Sequence, residues 1–65
     1  MVNIKIFNSA YRESEVRNIP VQDVNVITMR LDYSGVPYML FEHKDYPLGA
    51  LRAQFNGQEW ECDLD

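Results

Sequence analysis

Four carboxylates close this chain at alternate positions: Glu59, Glu61, Asp63 and Asp65. On an extended strand, residues two apart share a face and stand about 6.6–6.8 Å apart, so the four would form a straight file. Phosphate charge advances about 3.4 Å per nucleotide along a nucleic-acid strand, which makes such a file match every second phosphate. A row of this kind can stand in for a phosphate backbone against a basic surface. Asp32, on the polar parity of another strand-like run, joins the same candidate acidic face. The plainer reading is the solvated face of an edge strand, where charge discourages aggregation, and Arg52 partly neutralises the row.

Other chemistry finds less support. His43 and Cys62 lack the further ligands of a zinc or calcium site, with no Cys-x-x-Cys, His pair or Asp-x-Asp-x-Asp-Gly pattern. Glu42-His43-Lys44-Asp45 gathers titratable groups, but neighbours on a strand end point in different directions and no nucleophile motif accompanies them. Gly35, Gly49 and Gly57 fall in three separate turns, so no glycine-rich phosphate cradle forms. Tyr11, Tyr33, Tyr38 and Tyr46 lie among mixed charges rather than the basic residues an RNA-binding face requires. No cofactor is expected, and the chain reads as a non-enzyme.

Ten acidic and six basic residues give a net charge of −4. That disfavours direct contact with nucleic acid and fits a basic partner. Small acidic single-domain proteins without catalytic constellations resemble, as a class, the phage-encoded inhibitors of host defence, including anti-CRISPR and anti-restriction proteins that mimic nucleic acid. The resemblance implies an inhibitor occluding a nucleic-acid-binding protein through Glu59, Glu61, Asp63, Asp65 and Asp32.

The elements that must hold these residues are mostly strands. A chain of 65 residues has material for one domain, residues 1–65, and buries only about 60 % of its unfolded surface. Its sole cysteine permits no internal disulfide. The N-terminus shows neither a signal-peptide pattern nor a membrane span, so a cytoplasmic protein is expected. Val2 to Phe7 reads as a first strand. Ser9 to Arg17 carries a capping serine and a Glu13–Arg17 pair at helical spacing, so a short helix competes there with an irregular or edge-strand segment. Val24 to Tyr33 is strand-like, with Ile27, Met29, Leu31 and Tyr33 on one face and Thr28, Arg30 and Asp32 on the other. Val24 and Val26 break that parity, so either a bulge near Ile27 resets the phase or that end is buried on both faces.

After Ser34-Gly35, Val36 to Glu42 returns as a strand, and a two-residue turn would set Leu31 opposite Tyr38. Residues 47–55 fit a strand or a helix opened by Pro47. The strand is favoured because it lets Asn56-Gly57 close a hairpin, with Phe55 opposite Gln58, Ala53 opposite Trp60 and Arg52 opposite Glu61. The expected fold is mainly β: a small antiparallel sheet or partly open barrel of about five strands, or α+β if the helix near residues 9–17 forms. A second functional reading follows from apolar material on both faces of residues 36–42: an interaction module pairing through a sheet edge, as a homodimer or assembly subunit. A small-ligand or catalytic domain assembled as an oligomer around His43 is a third.

Overall fold

The structure is a computed structural model that describes residues 2–10 and 16–65. Six strands, β1 (Asn3–Phe7), β2 (Arg17–Pro20), β3 (Asn25–Leu31), β4 (Pro37–Glu42), β5 (Leu51–Phe55) and β6 (Trp60–Asp63), form one sheet in the order β2-β1-β6-β5-β4-β3. The only helical element among the described residues is a 3-10 turn at Val21–Asp23. The mainly-β expectation therefore holds, with a sixth strand, and residues 51–55 are strand rather than helix. The helix expected near residues 9–17 falls largely on residues 11–15, outside the described ones. Its final residue, Arg17, instead begins β2, where Ile19 pairs with Ile4 and Pro20 closes the strand opposite Asn3.

The sheet is mixed rather than antiparallel. β1 and β6 run parallel, with Ile4 beside Trp60 and Ile6 beside Cys62; every other pair is antiparallel. β2 and β3 are the two edges, yet only residues 21–24 separate them along the chain. Five peptide steps reach at most about 18 Å, so the link draws the two edges together at one end and rolls the sheet into an open half-barrel. The Val21 amide anchors that link on the Val2 carbonyl at 3.0 Å.

One face of this sheet makes the core. Ile4, Ile6, Ile19, Met39, Phe41, Ala53 and Cys62 are buried, and Val21, Val24, Tyr46, Leu51 and Trp60 pack against them. Alternation along each strand delivers these residues to a common side, as a period of two requires. β3 adds no buried residue.

Both hairpin registers differ from those the sequence suggests. Phe55 pairs with Trp60 and Gln54 with Glu61, and the Asn56 amide donates to the Glu59 carbonyl, so the turn centres on Gly57-Gln58 instead of Asn56-Gly57. A type I′ turn would hold Asn56 at positive φ, but only Gly57 adopts it, at +99°. Asn56 works from the flank instead, where its side-chain oxygen accepts the Gln58 and Glu59 amides, each at 2.8 Å. Partners shift by two residues, so no side chain changes face. In the β3–β4 hairpin the shift is one. Leu31 meets Pro37, Arg30 meets Tyr38 and Met29 meets Met39. Asp32 sets that turn, its Oδ1 accepting the Ser34 and Val36 amides at 2.8 and 2.9 Å while Gly35 takes φ +80°. The parity break at Val26 is a bulge, with Ile27 as the unpaired residue between Val26–Phe41 and Thr28–Leu40.

Candidate functional site

Glu61 and Asp63 lie on β6 with their side chains on the outer face, opposite the core. β6 sits between β1 and β5, so the picture of a charged edge strand does not apply to it. Glu59 lies in the turn before β6 and Asp65 beyond it, and both are exposed. The file is thus two strand carboxylates flanked by one on each connecting segment. Asp32 belongs to the β3–β4 turn and has the structural task already described.

The neighbours of these carboxylates are part of the site. Lys5 is the cross-strand partner of Glu61, and Gln54 is its partner on the other side. Glu61 also accepts the Asn56 side-chain amide. Asp63 Oδ1 accepts the Ser9 amide at 3.1 Å and the Asp65 amide at 3.0 Å. The Ser9 hydroxyl, followed by these amides, holds the Asp63 carboxyl below its ordinary range, since every donor favours the charged form. Phe7, Arg52, Gln54, Glu61 and Asp63 share an open groove of about 780 Å³ with the tips of the two turns. Arg52 stacks over the Tyr38 ring at 4.5 Å and brings positive charge to that groove. Three of the five candidate carboxylates, Asp32, Glu61 and Asp63, therefore engage groups within the fold, while Glu59 and Asp65 extend into solvent.

His43 is buried just after β4, where its Nδ1 accepts the Asp45 amide at 3.1 Å. An accepting Nδ1 places the ring proton of the neutral imidazole on Nε2. Tyr46 packs against the ring, and Arg17 pairs with Asp45 at 2.5 Å, which ties β2 to this loop. The Arg17 guanidinium holds the Asp45 carboxyl below its ordinary range. These contacts fold the segment 43–46, and among the described residues no Ser, Thr or Cys side chain is hydrogen-bonded to the imidazole. Cys62 is buried, and burial pushes its thiol up, away from the reactive thiolate. Among the described residues, no group of three or more His, Cys, Asp or Glu is placed to hold a metal ion. No helix among them is long and apolar enough to cross a membrane.

The largest departure from ordinary surface chemistry is on β3 and in the turn that follows it. Ile27 is 51 % exposed, Met29 56 %, Leu31 67 %, and Tyr33 is fully exposed. Soluble proteins scatter single apolar residues over the surface, but a contiguous row is uncommon and marks a contact surface. Among the described residues, the outer backbone of this strand is equally unpartnered. The Asp32 amide donates to the Val36 carbonyl at 2.9 Å, and antiparallel ladders alternate between bonded and unbonded pairs. Thr28 and Arg30 therefore point their backbone groups at β4, while Met29 and Leu31 point theirs away from the sheet. Proline fits opposite Leu31 because an unbonded pair asks no N–H of Pro37. The sequence showed the alternation of β3, but alternation alone does not say which strand lacks a neighbour.

The described residues define a class: a small open β-sheet domain with a bare apolar edge and a mixed-charge outer groove. Compared with protein-family models, curated proteins and solved structures, the chain matches none.

Proposed function

We propose that the chain is a non-enzymatic protein-interaction module that receives an extended strand of a partner polypeptide along the outer edge of β3. The observation that supports this reading is the coincidence, on one strand, of outward backbone donors and acceptors at Met29 and Leu31 with the exposed side chains of Ile27, Met29 and Leu31, and with exposed Tyr33 in the turn just beyond. Main-chain hydrogen bonds to an added strand give affinity, and alternate side chains give specificity. Natural edges are blunted by charge, proline, bulges or covering segments. β3 carries a bulge at Ile27 and the single charge of Arg30, which leaves the stretch beyond the bulge open.

A second reading, occlusion of a basic nucleic-acid-binding protein in the manner of anti-CRISPR and other DNA-mimic inhibitors from phage, draws on one feature. Glu61 and Asp63 are held side by side on an interior strand, with Glu59 and Asp65 exposed at its ends. Lys5 beside Glu61 and Arg52 in the same groove offset that charge, so the edge reading stands first.

One experiment separates the two. Proteins retained by the wild-type chain are compared with those retained by Met29→Lys/Leu31→Lys and by Glu59→Gln/Glu61→Gln/Asp63→Asn, at low and high salt. Edge pairing predicts loss with the lysine pair, little dependence on salt, and slowed hydrogen exchange at the Met29 and Leu31 amides in the complex. Retention that ignores the lysines, but falls with salt and with the neutralised carboxylates, overturns it in favour of occlusion.

A further inference from the structure

We infer that the strand received by β3 is the β3 of a second copy of this chain, paired antiparallel about Met29. The inference rests on the edge reading above and adds the partner and the register. A two-fold axis perpendicular to the sheet generates an antiparallel β3–β3 pair in which residue i of one chain meets residue j of the other with i + j constant.

An axis at Thr28 would carry the pairing across the bulge, with Arg30 against Val26 and Leu31 against Asn25; that leaves Met29, Arg30 and Leu31, and their surroundings differ. An axis at Arg30 sets the two Arg30 side chains directly opposite each other, and like charges in that position are destabilising. An axis at Leu31 requires Met29 to pair with Tyr33. The chain has left the strand there, because the Gly35 amide turns back to the Asp32 carbonyl at 3.0 Å. An axis at Met29 avoids both faults. It places Met29 against Met29, Arg30 against the uncharged Thr28, and Leu31 against Ile27.

Of these three registers, this one alone keeps like charges from facing each other and draws every paired residue from β3 itself. Its outward backbone groups also agree: Met29 is the residue whose N–H and C=O leave the sheet, so the two copies exchange a pair of hydrogen bonds at the axis and continue them towards Leu31. The core-side faces of the two sheets join, and the apolar side chains of both β3 strands form one strip across the twelve-stranded assembly. Exposure rises along β3 from Ile27 through Met29 to Leu31, away from the link at residues 21–24.

The test is sedimentation of the full chain over a concentration series, combined with three single-cysteine additions. Residues facing each other in a bonded antiparallel pair have Cα atoms about 5.5 Å apart, within disulfide reach. Mild oxidation should trap Met29→Cys as a covalent dimer faster than Arg30→Cys or Leu31→Cys. The unaltered chain, whose Cys62 is buried, should stay uncrosslinked. Met29→Lys should weaken self-association by about tenfold or more, because two lysines then oppose each other. Preferential crosslinking of Arg30→Cys or Leu31→Cys overturns the register. A mass that stays monomeric at all concentrations, with no crosslinking, overturns the second copy as occupant. The edge reading itself then stands or falls on whether retention of another protein is sensitive to the Met29→Lys/Leu31→Lys pair.

Discussion

Replacing Phe41 by alanine is expected to leave little folded protein at room temperature. Phe41 is wholly buried, the largest such side chain in the core, and it stands between Val26 of β3 and Leu51 of β5. Truncating a buried phenylalanine costs about 3–5 kcal/mol through lost transfer energy and the cavity left behind. At typical stabilities per residue, a chain this short has roughly 3–10 kcal/mol in total. The sheet is open and has no second layer of helices among the described residues, so little can collapse into the cavity. Urea denaturation followed by circular dichroism is the measurement, and Phe41→Leu should recover much of the loss by refilling the volume. A loss of unfolding free energy under about 1 kcal/mol for Phe41→Ala would mean that the core does not close over β4.

The same open architecture explains what the sequence could and could not reveal. Period-two alternation marked β1, β3, β4, β5 and β6 because each carries apolar residues to one side, and hydrophobic patterning is local. β2 was hidden: Ile19-Pro20 looks like a stop signal, and it functions as the end of an edge strand, where a missing N–H costs little. The last hairpin kept its faces but not its register. Asn56-Gly57 favours a type I′ turn, but the Asn56 side chain captures two amides from the flanking position and moves the turn by one residue. The parallel pairing of β1 with β6 leaves no local trace, since alternation records which side of a strand is apolar and not which strand lies beside it.

The candidate site was legible to the same extent. Glu61 and Asp63 do share the outer face, as their spacing required. Their engagement with Asn56, Ser9 and Asp65, and the proximity of Lys5, arise from strand order and turn geometry. Asp32 looked like a further member of the acidic face because its parity was polar; its carboxylate instead organises the turn at Ser34 and Val36. The bare row on β3 was visible as a row and invisible as bare. Nothing in Ile27, Met29, Leu31 and Tyr33 distinguishes a core-facing set from a partner-facing one until β3 is found at the edge.

Met29 and Met39 make that distinction measurable, for they are the same residue type in direct cross-strand register on the same face. Met39 is fully buried between β3 and β5, with Ala53 as its other partner, whereas Met29 has no strand beyond it among the described residues. Lysine at position 39 would place an ammonium among Phe41, Ile4 and Cys62, where the described residues bring no carboxylate into the core to meet it. Burial of an unpaired charge is among the few single changes that cost more than about 4 kcal/mol, so Met39→Lys should be unfolded. Lysine at position 29 can extend its head into water from the edge, and Met29→Lys should melt within about 0.5 kcal/mol of the wild-type monomer. Thermal denaturation at low protein concentration compares the two without contribution from association. Equal damage at both positions would place β3 inside the sheet and remove the edge on which the proposed pairing depends. Damage confined to Met39 shows that the apolar face of β3 contributes little to the stability of the single chain and is available to stabilise a complex.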